Sequence, residues 1–224
     1  MHRRVGAYLG LVVLLVVMLG VGLTAVPALA SPTGLNNIPT ADVVSKDVLV
    51  LQSWSNFDGA TSWSAGFKVG PAENLEVGLD GQVGGPGSGG GPVFQAKYRI
   101  PLQQGARLAL GVANISGDRD RHGNVFPYAV ASKPLGKQAN GHLGYSLQSD
   151  NHALFLGADA TVSKSLTLRS DWIQTNDGDE SMWSLGFISP LSENFLVEGW
   201  GTFPTATGAE TNYVVKVDYV IPLH

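Results

Sequence analysis

The chain of 224 residues carries 14 Lys and Arg against 18 Asp and Glu, a formal net charge of −4, and it contains no cysteine. Without cysteine, a disulfide scaffold and a thiolate metal site are both excluded. The acidic balance, with no basic cluster beyond the first residues, argues against a nucleic-acid partner. Stability must therefore come from backbone pairing and burial.

The first 30 residues are predicted to be a secretory signal peptide. Arg3 and Arg4 form a basic head, residues 5–26 are almost wholly apolar, and Ala28-Leu29-Ala30 supplies small residues where a signal peptidase cleaves. An uncleaved membrane anchor is the alternative, because the apolar run approaches the length of a spanning helix. Cleavage after Ala30 would leave an exported chain that is more acidic than the precursor.

Residues 31–45 are predicted to be an N-terminal linker or plug segment. Pro32, Gly34, Asn36, Asn37 and Pro39 interrupt this stretch, so neither a regular strand nor a long helix is expected. The segment either lies in the periplasm or enters the lumen of a barrel, and the sequence leaves both possibilities open.

Residues 46–224 are predicted to form one all-β domain, because period-2 alternation dominates from Lys46 onward and helical periodicity is absent. Trp63-Ser64-Ala65-Gly66-Phe67 is echoed by Trp183-Ser184-Leu185-Gly186-Phe187. Each copy is followed by a Pro/Asn turn, which indicates a repeated hairpin. Twelve strands are predicted, at residues 47–55, 61–70, 74–83, 92–101, 106–115, 124–133, 141–148, 152–162, 165–174, 181–189, 194–202 and 211–221.

The connections between these strands are of two kinds. One set is short and punctuated by proline or serine, at residues 71–74, 101–105, 134–140, 163–165 and 190–194. The other set is longer or looser, at residues 57–60, 84–91, 116–123, 175–180 and 204–210, with the tight 149–151 as an exception. Short turns at one end and loops at the other predict an up-and-down antiparallel transmembrane β-barrel. A soluble exported β-sandwich or barrel is the alternative.

The faces of the strands and the positions of the aromatic residues favour the membrane barrel. Phe94 and Tyr98, for example, share a bulky apolar face, while Lys97 and Arg99 lie on the opposite one. All five tryptophans are predicted to lie near the loop-side ends of strands, where a membrane–water interface favours amphipathic rings. They are Trp54, Trp63, Trp172, Trp183 and Trp200.

On these features, residues 46–224 resemble the porin-like class of bacterial outer-membrane β-barrel proteins. The resemblance implies an outer-membrane location, a surrounding lipid bilayer and contact with the outer-membrane assembly machinery. That class usually ends in an aromatic residue. This chain ends Asp218-Tyr219-Val220-Ile221-Pro222-Leu223-His224, in which Tyr219 and Ile221 keep the apolar alternation. Gly34-Leu35-Asn36-Asn37-Ile38-Pro39-Thr40-Ala41 is similar to an opening found before the first strand of some exported barrel proteins.

Placing the apolar face outward predicts a lumen lined by charged side chains of both signs in equal number. The predicted lumen residues are Lys68, Glu76, Asp80, Lys97, Arg99, Arg107, Asp159, Arg169, Asp171, Glu198, Lys216 and Asp218. Balanced charges predict little ion selectivity. They either line a narrow path and orient a solute, or they form a pairing network that fills the lumen and holds the barrel together.

No catalytic residue, metal site or cofactor is predicted. His142 and Ser146 share a strand face but are four residues apart, too far for a base to contact a nucleophile, and no Gly-x-Ser-x-Gly elbow is present. His122 beside Asp118 and Asp120 lacks the spacing of a calcium loop, and the acidic residues 177–180 are expected to form a solvated turn.

The predicted function is passive passage of small polar solutes through a narrow outer-membrane channel. The first alternative is a closed structural or surface-interaction barrel, and the second is a soluble exported β-protein.

Overall fold

The computed structural model describes residues 33–57, 60–86, 88–89, 91–147, 152–175 and 181–223. The predicted signal peptide, the tight turn at 149–151 and the acidic turn at 177–180 lie outside the described residues. Within the described residues, no helix is long and apolar enough to cross a membrane.

Twelve antiparallel strands form one closed barrel. They are β1 (Val48–Phe57), β2 (Thr61–Ala72), β3 (Leu75–Gly84), β4 (Val93–Pro101), β5 (Arg107–Ile115), β6 (Phe126–Pro134), β7 (Ala139–Leu147), β8 (His152–Ser163), β9 (Leu166–Thr175), β10 (Ser181–Pro190), β11 (Phe195–Pro204) and β12 (Asn212–Pro222). Helical structure in the described residues is limited to a 3-10 turn (Gln103–Gly105) between β4 and β5 and one turn, α1 (Arg119–His122), between β5 and β6. The predicted up-and-down barrel is confirmed.

Each strand pairs with its neighbours in sequence, and β1 closes the barrel against β12 in a register that runs from Val48 opposite Pro222 to Phe57 opposite Tyr213. The two copies of the repeated sequence form the β2–β3 and β10–β11 hairpins, as predicted. We call the end with the connections β2–β3, β4–β5, β6–β7, β8–β9 and β10–β11 the turn end, and the other the loop end.

The polarity of the wall is the reverse of that in a soluble protein. Large apolar side chains face outward, as in Phe94 and Tyr213, which are 51% and 53% exposed. Charged side chains face inward and are buried, as in Arg169 and Glu198, each 2% exposed. Apolar surface of this kind suits lipid rather than water, so the exterior does not support the soluble alternative.

The chain enters β1 from inside the barrel. Residues 33–44, which we call the inner segment, precede the isolated bridge between Lys46 and Gly70 and the left-handed residue Asp47 (φ 58°) at the turn end. From there the inner segment extends into the lumen, where Leu35, Ile38, Ala41 and Val44 are buried.

Candidate functional site

The inner segment is folded on itself as a tight hairpin. A β-bridge joins Gly34 to Pro39, and the Leu35 N–H donates to the Ile38 carbonyl at 2.9 Å. The asparagine pair at 36 and 37 therefore forms the tip. Pro39 and the polar tip, from which the sequence predicts no regular strand, lie in this compact hairpin.

One side of the hairpin packs on an apolar patch of the wall. Leu35, Ile38 and Ala41 form a buried cluster with Ala109, Val130 and Phe155. Gly157 leaves room for this contact, because a side chain there would collide with the ends of Leu35 and Ile38. Full burial of a leucine or isoleucine side chain stabilises a fold by about 1.5–3 kcal/mol. This apolar contact therefore contributes substantially to holding the inner segment against the barrel wall.

The tip is held by polar groups of β9, β10 and β11. The backbone N–H groups of Asn36 and Asn37 donate to one oxygen of Asp171 at 2.9 and 3.0 Å. The side-chain amide of Asn36 donates to Ser184 Oγ at 2.8 Å, and that of Asn37 to Thr202 Oγ1 at 2.9 Å. Asp171 thus binds the tip as a carboxylate binds adjacent backbone donors.

The ends of the inner segment are held by a buried charge cluster. Glu76 accepts from the Thr33 hydroxyl at 3.1 Å and from the Val44 N–H at 2.9 Å. Lys97 donates to the Thr33 carbonyl at 2.6 Å, and Lys68 donates to the Thr33 hydroxyl at 2.9 Å. Both lysines also lie within 4 Å of Glu76. Charged groups of the wall therefore bind the segment's backbone directly.

A chain of hydrogen bonds joins the middle of the inner segment to β6, β7 and β8. The Ala41 N–H donates to Ser132 Oγ at 2.9 Å, Ser132 Oγ lies 2.8 Å from His142 Nδ1, and His142 Nε2 lies 2.8 Å from Asp159. These are the residue types of a hydrolase triad, but in such a triad the serine contacts Nε2 and the acid contacts Nδ1. Here Ser132 is 1% exposed and covered by Ala41, so these hydrogen bonds anchor the inner segment.

A second network crosses β9, β11 and β12. Glu198 lies 2.5 Å from Arg169 and 3.2 Å from Lys216, and Lys216 lies 3.2 Å from Asp218. Arg169 also donates to the Gly34 carbonyl at 3.4 Å. Because the charges alternate in sign, each buried group has an opposite neighbour.

The twelve predicted lumen residues divide by what they contact. Those that bind the inner segment are Lys68, Glu76, Lys97, Arg107, Arg169 and Asp171. Those that pair within the wall are Asp80, Asp159, Glu198, Lys216 and Asp218. Arg99 lies at the turn end, where it donates to Asn74 at 2.9 Å.

The polar wall groups that the sequence interpretation missed are Ser132, His142, Ser184 and Thr202. Each lies on an inward face, so alternation could have placed it there, but its partner is fixed only by the three-dimensional register.

A cavity of about 460 Å³ remains beside the inner segment. Its wall includes charged groups of both signs, among them Lys68, Asp80 and Lys216. Trp54, Asn114, Phe126, Tyr128 and Trp200 border it toward the loop end. Asn114 (φ 57°) reaches the cavity from an irregular stretch of the β4–β5 pairing.

Two of the five tryptophans predicted for the membrane interface are placed in the lumen instead. Trp54 and Trp200 line the cavity, because they follow the inward residues Gln52 and Glu198 by two positions on their strands. Trp63 and Trp183 are 53% and 45% exposed on the outer surface. Trp172 is paired with Trp183 in the β9–β10 register and shares its outward face.

Aromatic side chains on the outer surface form a band at the loop end. Trp183 stacks on Phe203 with ring centroids 4.4 Å apart, and Phe203 meets Tyr213 edge-on at 6.4 Å. Among the described residues, no three His, Asp or Glu side chains converge as a metal site would require.

No protein-family model and no curated protein matches the chain. Solved structures do match. A KdgM porin has 13% identity and a TM-score of 0.60, and a KdgM porin in complex with disordered oligogalacturonate has 12% identity and a TM-score of 0.62. A NanC porin has 10% identity and a TM-score of 0.58. Each match covers 76% of this chain and 98% of the other. The chain has the fold of an outer-membrane, porin-like β-barrel.

Proposed function

We propose that this protein is an outer-membrane channel for passive passage of small polar solutes, and that its inner segment narrows the path. The observation that carries the proposal is the cavity of about 460 Å³ beside the segment, bordered by polar and charged groups. Neighbours with this fold are named as porins, and one was solved with oligogalacturonate. A lumen that admits solutes is therefore compatible with the architecture.

The balance of charge around the cavity supports passage of polar solutes without strong ion selectivity. Lys68, Lys97 and Lys216 are matched there by Glu76, Asp80 and Glu198. Fields from opposite charges cancel over short distances, so neither cations nor anions are strongly excluded. Removing one of these charges should therefore make the channel ion-selective. Asp80→Ala should shift the reversal potential toward anion preference, and Lys68→Ala toward cation preference, since both residues line the cavity.

A second candidate is a closed barrel whose inner segment is a permanent part of the scaffold. The observation in its favour is that the wall holds the segment at its tip, middle and ends, through Asp171, Ser132 and Glu76. In that case the loops or the outer surface would carry the function.

Planar-bilayer conductance separates the two candidates. The refolded mature chain is compared with a variant that lacks residues 33–44, and both are first shown to be folded by their heat-dependent migration on gels. We expect small discrete openings from the intact chain and openings several-fold larger from the deletion variant. Silence from the intact chain with openings from the variant would support the closed barrel. Silence from both would exclude a channel.

A further inference from the structure

We propose that the cavity beside the inner segment binds a small, neutral, hydroxyl-rich solute of the polyol or monosaccharide class. This inference rests on the proposed channel function and specifies the solute that the channel selects. It follows from which polar groups around the cavity already have partners and which do not.

The charged groups around the cavity are occupied by each other or by neighbouring amides. Asp80 accepts hydrogen bonds from the side-chain amides of Gln52 and Gln95, at 2.5 and 2.7 Å. Lys216 lies between Glu198 and Asp218, at 3.2 Å from each. An ionic solute would have to displace one of these contacts and desolvate a charge of its own, which is costly in a confined site.

Lys68 and Lys97 are occupied in the same way at the other side of the cavity. Both approach Glu76 within 4 Å, and both donate to Thr33 of the inner segment. An anionic solute therefore finds no lysine on the cavity wall without a partner among the described residues.

The groups left without partners are neutral. In the part of the chain that the structure describes, the Trp200 indole N–H and the side-chain amide oxygen of Asn36 (Oδ1) are buried and make no hydrogen bond. Both residues line the cavity, and Trp200 Cβ and Asn36 Oδ1 lie beside Gly186. One is a donor and the other an acceptor. A hydroxyl group is both, so hydroxyls of one solute can satisfy the two groups.

Further neutral groups line the same space. Trp54 and Tyr128, each with an aromatic ring and one polar atom, also border the cavity. The faces of Trp54, Trp200 and Tyr128 offer apolar surface to the C–H groups of a polyol or sugar, while their polar atoms meet its hydroxyls. The volume of about 460 Å³ lies within the range of about 300–1,000 Å³ usual for small-molecule sites.

The test compares three six-carbon probes of similar size and different charge: sorbitol (neutral), gluconate (anionic) and glucamine (cationic). Ion current through the refolded mature chain is recorded with each probe, and tryptophan emission is titrated with the same probes in detergent. We expect sorbitol to interrupt the current and to shift the emission at concentrations at which the two charged probes do not.

Two variants separate the site from the rest of the barrel. Trp200→Phe keeps an aromatic ring but removes the N–H donor, and should weaken the sorbitol effect about fivefold, the value of one neutral hydrogen bond. Trp183→Phe is the matched control on the outer surface and should leave it unchanged. Both variants must match the parent in heat-dependent gel migration, so that a folding defect is not read as lost binding.

The outcomes distinguish this inference from the proposed function. Ion current with equal effects of the three probes, or with a preference for a charged probe, would overturn the neutral-solute site and leave the channel standing. A sorbitol-specific emission shift without any current would support the site and overturn the channel. An emission shift that Trp200→Phe does not weaken would also overturn the site.

Discussion

At the scale of single residues, Arg169 connects the wall to the inner segment. It pairs with buried Glu198 at 2.5 Å and donates to the Gly34 carbonyl. Arg169→Leu should destabilise the barrel by about 3 kcal/mol, because it leaves a buried carboxylate with only one of its two cations. Urea unfolding in detergent, followed by tryptophan fluorescence, measures the change.

The control for this prediction is the double variant Arg169→Leu with Glu198→Leu. It removes both partners and leaves Lys216 paired with Asp218. We expect it to lose less stability than the single variant, since no buried charge remains without its partner. A double variant as unstable as the sum of the two single ones would contradict a specific Arg169–Glu198 interaction.

Asn74 provides a second residue-scale prediction, at the β2–β3 turn. Its φ of 63° is left-handed, and its side-chain oxygen accepts from Arg99 at 2.9 Å. Asn74→Ala should cost about 1–2 kcal/mol through backbone strain and the lost hydrogen bond. Asn74→Gly relieves the strain but still loses the bond, so it should cost less. Equal urea midpoints for the two variants would show that the φ angle carries no strain.

Alternation along a strand predicts which way a residue points, and the prediction of a charged lumen set rests on it. Nearness to the loop end does not distinguish Trp54 and Trp200 from the outward Trp63 and Trp183, but alternation does, because these two follow the inward residues Gln52 and Glu198 by two positions. Depth suggested an interface for all of them, whereas strand parity assigns these two to the lumen. The hydrogen bonds that join Ser132, His142 and Asp159 could not be predicted from the sequence, because these residues lie on three strands and local patterns do not fix the register between them.

At the scale of elements, the inner segment shows what a local pattern leaves undetermined. Pro39 and the asparagines predict no regular strand or long helix there, and none of residues 33–44 belongs to a named strand or helix. Its location depends on complementarity with distant residues, such as the fit of Leu35 against Phe155 and of Asn36 against Asp171. No spacing within the segment contains that information.

The apolar contact between the inner segment and the barrel wall leads to an element-scale prediction. Leu35→Asp with Ile38→Asp places two carboxylates against Ala109, Val130 and Phe155. Burying unpaired charge is costly, so the inner segment should detach from the barrel wall. We expect the conductance of this variant to approach that of the 33–44 deletion, while urea resistance of the barrel falls only slightly.

The matched control for this variant is Leu102→Asp, which adds a carboxylate at a residue that is 50% exposed in the β4–β5 turn. It should change neither conductance nor the accessibility of the segment to protease. Unchanged conductance in the Leu35→Asp, Ile38→Asp variant, with the segment shown to be released by its cleavage, would mean that the segment does not restrict the path.

At the scale of the whole molecule, the barrel was predictable because almost all of its pairings are local. Every strand pairs with the next along the chain through a short connection, and only the β1–β12 pairing joins distant residues. That pairing also follows from the count, since an even number of up-and-down strands closes in antiparallel fashion. Every strand end lies within two residues of its predicted position.

The two faces of the wall give the last prediction, which concerns the whole barrel in lipid. Single-tryptophan variants, with the other four tryptophans replaced by phenylalanine, are refolded into vesicles that contain brominated lipid. Trp63 and Trp183 are half-exposed on the apolar exterior and should be quenched strongly by bromine. Trp200 lines the cavity and should be quenched by aqueous acrylamide rather than by the lipid. Comparable bromine quenching at Trp200 and Trp183 would contradict the inward orientation of β11 at this position. Absence of bromine quenching at all three would contradict the membrane-spanning barrel itself, because its apolar exterior would then face water.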